Sequence, residues 1–412
     1  MKILIVSYMI PEAPSGVSVH YMNLAKSLER AGHQVQTLSV ADAQPIIRKT
    51  STAASKILSL FGGLGKELAR ESQNFIRIYT AVRQLIRKKD FDIINAQDLG
   101  SAYAAKLASN GRIPVLLTCH FNDDPATETI KRRNLTGLAV TFTQKWHQHL
   151  FKAITYYNGV SSYVIKRSRH LFNIDAIVEI IHNGVDFKAV QRTSPLSVLH
   201  SQYPGKYVLM NIGHLEKRKN QDLFLEAAYY LKKQRSDFVC AMVGNGEDYA
   251  YLQDQIQKRD LADCVVMLGH HEDVIPVLKS ADIYMHTALN ENCPLVLLEA
   301  IASSVPVFAL AVGGIPELLK QKEALFSQGI TAEFLADKLS AALDDEQFRA
   351  KLQHLQYDDG LKGFDIYRMT HKYLAYYQRI IRHFEEQKIS GNATLKTTDA
   401  NEISTHKPVP NN

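Results

Sequence analysis

The sequence predicts an α/β protein built from two doubly wound parallel sheets that face each other across a cleft. Three observations carry this reading. Apolar runs of five to seven residues alternate with helix-like stretches. The alternation pauses once, after Asn183-Gly184-Val185-Asp186, and then restarts. A chain of 412 residues also exceeds what one hydrophobic core of ordinary size serves, so two domains are expected.

The first half holds the runs KILIVSY, QVQTLSV, FDIINA, PVLLTC and NGVSSYVI; the second holds YVLMNIG, DFVCAMVG, CVVMLG, ADIYMHTA and VPVFAL. Short continuous apolar runs between helices are the mark of parallel strands covered on both faces. Residues 1–185 are therefore read as one domain and 186–363 as a second, with a polar linker near 184–205. Between Ile46 and Phe75 the pattern weakens around Gly62-Gly63, which reads as an insertion or a mobile lid. Tyr367, Met369, Tyr373, Tyr377, Ile380 and Ile381 recur near helical spacing, predicting one helix over 364–387. The Thr-, Asn-, Lys- and Pro-rich remainder, 388–412, reads as a disordered tail.

Composition sets outer bounds. A hydrophobic share of 46% and a charged share of 22% describe a folded globular chain. Cys119, Cys240, Cys264 and Cys293 form no Cys-x-x-Cys pair, which argues against a disulfide framework and a zinc site and favours a reducing cytoplasm. The opening MKILIVSYMIPEAPSG loses its apolar run at Val6 without a cleavage-like site, so it reads as a buried strand. No stretch approaches the ~18–20 apolar residues of a membrane span, so any membrane contact is expected to be peripheral. The net charge of +6 is mild. Its local clusters, Arg83, Arg87, Lys88, Lys89 and Lys131, Arg132, Arg133, fit solvated helix faces, docking on anionic lipid, or an anionic substrate. They are short and lack interleaved aromatic residues, which argues against nucleic acid.

Ligands of open α/β sheets bind at the carboxyl ends of the strands. After the first strand, Gly16 opens a helix. A Gly there lets backbone amides approach a phosphate at the positive helix terminus, though a plain helix entry reads the same way. Lys217, Arg218 and Lys219 follow YVLMNIG, where cations could neutralise charge growing on a leaving group. Gly244 and Gly246 repeat the strand, glycine, helix theme, but neither GxGxxG nor GxxxxGK[ST] occurs, so a nicotinamide enzyme and a P-loop are disfavoured. In LNENCPLVLLEA, Pro294 suits the first helical turn, placing Glu291 in the preceding loop and Glu299 about one turn inside. The loop carboxylate can then face hydroxyls, the first free amides can bind phosphate, and the inner carboxylate can grip a vicinal diol. Cys293 reads as a pocket wall. His270-His271-Glu272-Asp273 has no evident partners, and no Asp-x-Asp occurs, so no metal is expected. Trp146, Leu150 and Phe151, with His147 and His149 between them, suggest an amphipathic helix near the cleft mouth, packed into the core or facing a membrane.

Together these segments resemble the family-4 retaining glycosyltransferases of the GT-B fold, from residue 1 to about residue 386. The most specific part is GHHEDVIPVLKSADIYMHTALNENCPLVLLEAIASSVPVFALAVGGIPEL, which looks like the family's donor region with its E-x7-E motif. IHNGVDF resembles the interdomain junction, and the final helix resembles the one that crosses back to the N-terminal domain. The resemblance implies that Glu291 contacts hydroxyls of the donor sugar. The stretch Asn292, Cys293, Pro294, Leu295 would hold its ring and diphosphate, and Glu299 would hold the ribose. Lys219 would neutralise the departing diphosphate. Gly16 matches the second Gly of the family's Gly-Gly loop, and His120, in LLTCHFND, would lie beside the anomeric carbon.

The implied reaction is transfer of a sugar, with retained configuration, from a nucleotide diphosphate-sugar such as a UDP- or GDP-sugar to an acceptor hydroxyl. The setting would be polysaccharide or glycolipid biosynthesis, with no metal or other cofactor. The acceptor would be a glycan or a lipid-linked molecule at the inner face of a membrane. Three positions depart from the family pattern. His214 replaces the diphosphate-binding Arg, Ser15 replaces the first loop Gly, and Ser304 replaces the Gly before Val-Pro. The serines are expected to be tolerated where backbone angles are negative. His214, offering one donor in place of a fork, keeps open a catalytically weak GT-B protein that binds nucleotide-sugar or a partner enzyme without turnover. A GT-B UDP-sugar epimerase is a further alternative.

Overall fold

The structure, a computed structural model, describes residues 1–403 apart from Pro14 and Ser197, and side chains as far as Ser390. Two six-stranded sheets form the chain. The first has the order β2-β1-β3-β4-β5-β6, from β1 (Lys2–Ser7), β2 (Gln34–Ser39), β3 (Ile93–Ala96), β4 (Val115–Cys119), β5 (Tyr156–Gly159) and β6 (Ile177–Ile180). The second has the order β12-β11-β10-β7-β8-β9, from β7 (Tyr207–Ile212), β8 (Phe238–Val243), β9 (Val265–Gly269), β10 (Ile283–His286), β11 (Val307–Leu310) and β12 (Leu325–Phe326). Every pairing is parallel. Strand order reverses once in each sheet, between β1 and β3 and between β7 and β10. Loops leaving those strands part to opposite faces and open a crevice.

The helices of the first domain are α1 (Gly16–Arg30), α2 (Pro45–Leu58), α3 (Gly62–Leu85), α4 (Leu99–Ser109), α5 (Pro125–Arg133), α6 (Leu138–Ala153) and α7 (Ser162–Ser168). The stretch expected as an insertion or lid is α2 and the start of α3, two packed helices. NGVSSYVI is a strand only through Gly159. Ser161 accepts from Val164 N at 3.2 Å and so caps α7, turning the rest of the run into helix. The strands β6 and β12 were not foreseen. They are four and two residues long, and β6 is only partly buried, so neither shows a continuous apolar run.

Beyond residue 345 the chain forms one helix, Glu346–Phe364, and then a second, Ile366–Ile403. The start expected at 364 moves because Phe364 ends the earlier helix and Asp365 is extended, bridging Val185 in a parallel pair. Val185 N donates to Phe364 O and Ile366 N to Val185 O, each at 3.0 Å, so the two passages between domains are bonded together. The final helix then packs on the first sheet. Met369, Tyr373, Tyr377 and Ile380 share a buried cluster with Ile3, Ile5, Tyr21 and Tyr156. Tyr377 OH accepts from Asn95 Nδ2 and Tyr373 OH from Asn158 Nδ2, each at 2.7 Å. Helix continues past Gln387, where a tail was expected, because nothing from 388 to 403 removes a backbone donor and the first proline is Pro408. Residues 404–412 lie outside the described ones.

Candidate active site

The crevice of the second sheet is lined by the loops after β7 and β10. They are stitched together: Leu289 N donates to Arg218 O at 2.8 Å, and Thr287 Oγ1 to Lys219 O at 2.9 Å. Arg218, on the short 3-10 turn Lys217–Lys219, donates to Asn290 O at 3.0 Å and to Glu291 Oε1 at 3.2 Å. Lys219 Nζ donates to the same carboxylate oxygen. Two cations from one loop thus converge on one carboxylate from the other.

Glu291 is only 6% exposed. Burial alone would raise its pKa, but Lys219, His286 and Arg218 together hold it well below the usual carboxylate range. His286 ends β10, and its Nε2 is 3.7 Å from Glu291, beyond hydrogen-bond reach and without another partner. Tyr284 OH lies 2.9 Å from His286 Nδ1. Burial keeps this imidazole neutral despite the carboxylate beside it. Glu291 is therefore a fixed anion, unsuited to exchanging protons near neutrality.

Glu299 differs. It stands inside the helix Leu295–Ala302, whose N-cap is Pro294, one position before the first-turn place expected. Pro294 takes an extended ψ of 122°, so the helix opens at Leu295 instead. Burial, then the charge of Asp273, push the Glu299 carboxyl up to about 7. The two glutamates of the motif thus have opposite electrostatics, one clamped by cations and one half-buried without them.

In the first domain, His120 follows β4. Its Nε2 lies 3.0 Å from Gln97 Oε1. Gln97 Nε2 donates to Asn95 Oδ1 at 3.1 Å, and Asn95 Nδ2 donates to Tyr377 OH. This chain leaves Gln97 Oε1 as an acceptor, so Nε2 of His120 carries the hydrogen and Nδ1 keeps its lone pair. Burial, then His20, drive the His120 pKa well below its usual value; the His20 ring is 4.9 Å away. Gln97 lies in FDIINAQD but was not singled out from the sequence, and nothing there announces its role. Gly16 begins α1 one turn before His20. Ser15 caps α1 at a φ of −143°, accepting from Val17 N at 3.1 Å, so the expected negative angle holds there.

The two loops meet across the domains. Asn292 Nδ2 donates to Phe121 O, next to His120, at 2.8 Å, and Asn292 Oδ1 accepts from Ser161 Oγ. Asn183 Nδ2 donates to Cys293 O at 2.6 Å. Glu317 accepts from Ser162 N, Ser162 Oγ and Tyr163 N at 2.8, 2.7 and 2.9 Å, and lies 3.1 Å from His182 Nε2. Burial opposes its ionisation, but His182 and the Ser162 and Tyr163 donors lower its pKa to about 2. Gly313 and Gly314 permit this arrangement. A Cβ on either would strike the carbonyl of Glu291 or Asn292, so the glycine pair lies flat on the donor loop before Glu317 reaches the other domain.

The remaining expected residues separate into distinct environments. His214 is exposed, and its Nε2 pairs with Glu247 Oε2 at 2.8 Å, at the outer lip. Gly244 and Gly246 serve close packing: a Cβ on them would strike the backbone of Gly213 or Leu215. Cys293 is buried and its thiol is pushed up to about 12 by burial, so it is a wall and not a nucleophile. Ser304 does not meet the condition of a negative angle. Its φ is +58°, because it follows the C-cap Ser303 and sends its N–H back to Ile301 O at 3.0 Å. Among the described residues no group of three or more His, Cys, Asp or Glu is placed to hold a metal ion.

Known proteins can be set beside this geometry. The family model described as Glycosyltransferase Family 4 matches residues 14–189, and that described as Glycosyl transferases group 1 matches residues 200–357. A phosphatidyl-myo-inositol mannosyltransferase of Mycobacterium leprae is 26% identical over 82% of this chain and 87% of its own. The phosphatidylinositol N-acetylglucosaminyltransferase GPI3 subunit of Saccharomyces cerevisiae is 24% identical over 80% of this chain and 72% of its own. Anabaena HepE, solved with UDP and glucose, superposes with a TM-score of 0.69 at 19% identity, covering 92% of this chain and 99% of its own. The two matched segments meet near the junction, one per sheet, and the solved neighbour has the same two-sheet fold. The chain belongs to the family-4 glycosyltransferases of the GT-B fold.

Proposed function

We propose that the chain transfers a sugar from a nucleoside diphosphate-sugar to an acceptor hydroxyl, with retained configuration and without a metal. The observation that carries this reading is the convergence of Lys219 and Arg218 on Glu291 at the strand-order reversal of the second sheet. A diphosphate entering there meets two cations already oriented by their bonds to Glu291, which favours a leaving group whose charge grows in the transition state. Glu291, held ionised, accepts hydrogen bonds from sugar hydroxyls, and Glu299 accepts from a ribose diol. Asn292, Cys293, Pro294 and Leu295 surround the diphosphate and ring. His120 presents Nδ1 as an acceptor from the facing domain, with Gly16 at the start of α1 beside it. Binding and alignment supply most of such a rate enhancement, since no protein nucleophile is required.

UDP stands in the solved neighbour, which supports a uridine donor. The two relatives above are named for phosphatidylinositol and phosphatidyl-myo-inositol, and an Escherichia coli relative for a diphosphoundecaprenol acceptor, which supports a lipid-linked acceptor met at a membrane surface, although a Bacillus anthracis relative is named for L-malate. No helix among the described residues is long and apolar enough to cross a membrane.

The test is incubation with UDP- and GDP-sugars and a panel of lipid-linked acceptors, with product identified by mass spectrometry and NMR. Nucleoside diphosphate release with a product of unchanged anomeric configuration, lost in Glu291→Ala, is the expected result. One observation favours a second reading: His214 is turned to Glu247. Binding of nucleotide-sugar without any turnover would establish a binding protein, and an epimerised sugar would establish the epimerase.

A further inference from the structure

His286 stands at the floor of the second sheet's crevice with one ring nitrogen unused. It ends β10, the strand that pairs with β7 on one side and β11 on the other, at the strand-order reversal. The ring is 2% exposed, and its Nε2 is buried without a partner. Tyr284, two residues earlier and so on the same face of the sheet, places its OH 2.9 Å from His286 Nδ1 and 3.4 Å from Ile212 O. Burial outweighs the pull of Glu291 and keeps the ring neutral, so it carries one hydrogen. A lone pair on Nε2 would face the Glu291 carboxylate at 3.7 Å and be repelled by it. The hydrogen therefore sits on Nε2, and Tyr284 OH donates to Nδ1. His286 is a donor aimed at a carboxylate that it does not reach.

The gap follows from crowding at the acceptor. Glu291 Oε1 already accepts from Lys219 Nζ and, at 3.2 Å, from Arg218. One carboxylate oxygen offers two lone pairs, so a third donor stays outside. The two cations are not held alike. Arg218 also donates to Asn290 O and to Glu216, whereas Lys219 Nζ has no second partner among the described residues. Lys219 is thus the one free to turn toward a diphosphate, and its departure vacates a lone pair on Oε1. A carboxylate this buried is strongly destabilised when a partner leaves without replacement.

We propose that His286 is a positioning residue of the donor site: as Lys219 turns to the diphosphate, the Nε2–H of His286 closes on Glu291 Oε1 and keeps that carboxylate aimed at the sugar. The inference rests on the transferase reading above and adds a residue to its donor site. Lys219 sits on a loop and can follow charge growing on the leaving group, while His286, held by its strand and by Tyr284, stays with Glu291. A mobile cation and a fixed neutral donor so divide two tasks that a single lysine could not perform at once.

The Nε2 hydrogen is itself the probe. The intact protein, labelled with nitrogen isotope at histidine, is followed by NMR, where a buried imidazole N–H moves downfield as its hydrogen bond forms; the signal missing from His286→Gln belongs to His286. The expected result is a downfield shift on saturation with UDP, and a similar shift without UDP in Lys219→Met, where the lone pair is already vacant. Saturable UDP binding that leaves the signal in place, Lys219→Met that leaves it in place, or a hydrogen found on Nδ1 overturns the proposal. In turnover, His286→Leu should lower kcat about ten- to hundredfold, as for loss of a hydrogen bond to a charged group, with UDP affinity within about threefold of wild type. His286→Gln, which keeps an N–H, should recover kcat to within about threefold. Equal losses in both variants, or weaker UDP binding with kcat unchanged, would mark the ring as packing alone and overturn the proposal. The two readings fail separately. A shift driven by UDP in a protein that transfers no sugar defeats only the transferase, whereas sugar transfer with an unmoved signal defeats only the role of His286.

Discussion

Glu317 and Ser162, 155 positions apart and in different domains, are joined by two hydrogen bonds from one residue's N–H and hydroxyl to the other's carboxylate. The bond lies at the N-terminus of α7, where a helix favours an anion. It also sits three residues after the glycine pair that supports Glu291. Interdomain alignment and donor-loop shape are thereby fixed by one short segment.

Glu317→Gln keeps the size but removes the charge, and charge-assisted bonds of this kind contribute roughly 1.5–3 kcal/mol when sheltered. With partial exposure taken into account, the ratio of closed to open molecules should fall by about five- to thirtyfold. Apart from Gly16, the residues assigned to the nucleotide lie in the second domain, so UDP affinity by calorimetry should largely hold while kcat/KM falls by that factor and small-angle scattering shows expansion. An unchanged kcat/KM would remove Glu317 from the closing mechanism.

Glu299 titrates near neutrality, and only its ionised form accepts two hydrogen bonds from a ribose diol. Its pKa is raised, so the carboxylate is present above about 7 and lost as pH falls below it. UDP affinity should weaken roughly tenfold from about pH 8 to about pH 6. In Glu299→Gln the affinity should be weaker at the higher pH and the profile flatter. A wild-type profile no steeper than that of the variant would show that this carboxyl does not meet the ribose.

A Cβ at Gly16 meets nothing within 4 Å. Gly16→Ala should therefore melt at the wild-type temperature, while a ligand approaching the start of α1 would collide with the added methyl. Loss of kcat/KM by at least about tenfold with an unchanged Tm is expected, from the steric cost of the methyl against a bound ligand. Full activity would show that substrates stay clear of this loop.

Ser304 holds a left-handed φ that glycine adopts freely. Ser304→Gly releases ~1–2 kcal/mol of backbone strain, offset by roughly 0.5–1 kcal/mol of added unfolded-chain entropy. The hydroxyl also accepts an exposed bond from Gln191 at 3.1 Å, worth little at the surface. A Tm rise of about 1–4 °C in calorimetry is expected; a fall would show that the Gln191 bond outweighs the strain.

What the sequence revealed follows from range. Central strands such as FVCAMV and KILIVS are apolar throughout because helices cover both faces, so they are visible in isolation. The spacing of Glu291 and Glu299 is equally local. Their environments are not: the cations on Glu291 come from a loop 72 positions away, and His286 and Tyr284 pass for strand filler in ADIYMHTA. The Gln97 carbonyl that orients His120 depends on Tyr377, 280 residues further on, and no periodicity encodes that pairing. The left-handed angle at Ser304 was not legible because a serine carries no visible sign of a helix end that needs glycine geometry.

The crossing helix has a consequence for how the protein is made. Ile3 and Ile5, with Tyr21, Leu24 and Leu28 of α1, bury themselves against Met369, Tyr373 and Ile380, so until the final helix is made this face of the first sheet is covered only in part, by α1. The second domain, whose apolar cluster runs from Val160 to Phe364, is complete before that face is covered. The first sheet is therefore completed only after the whole second domain has been synthesised.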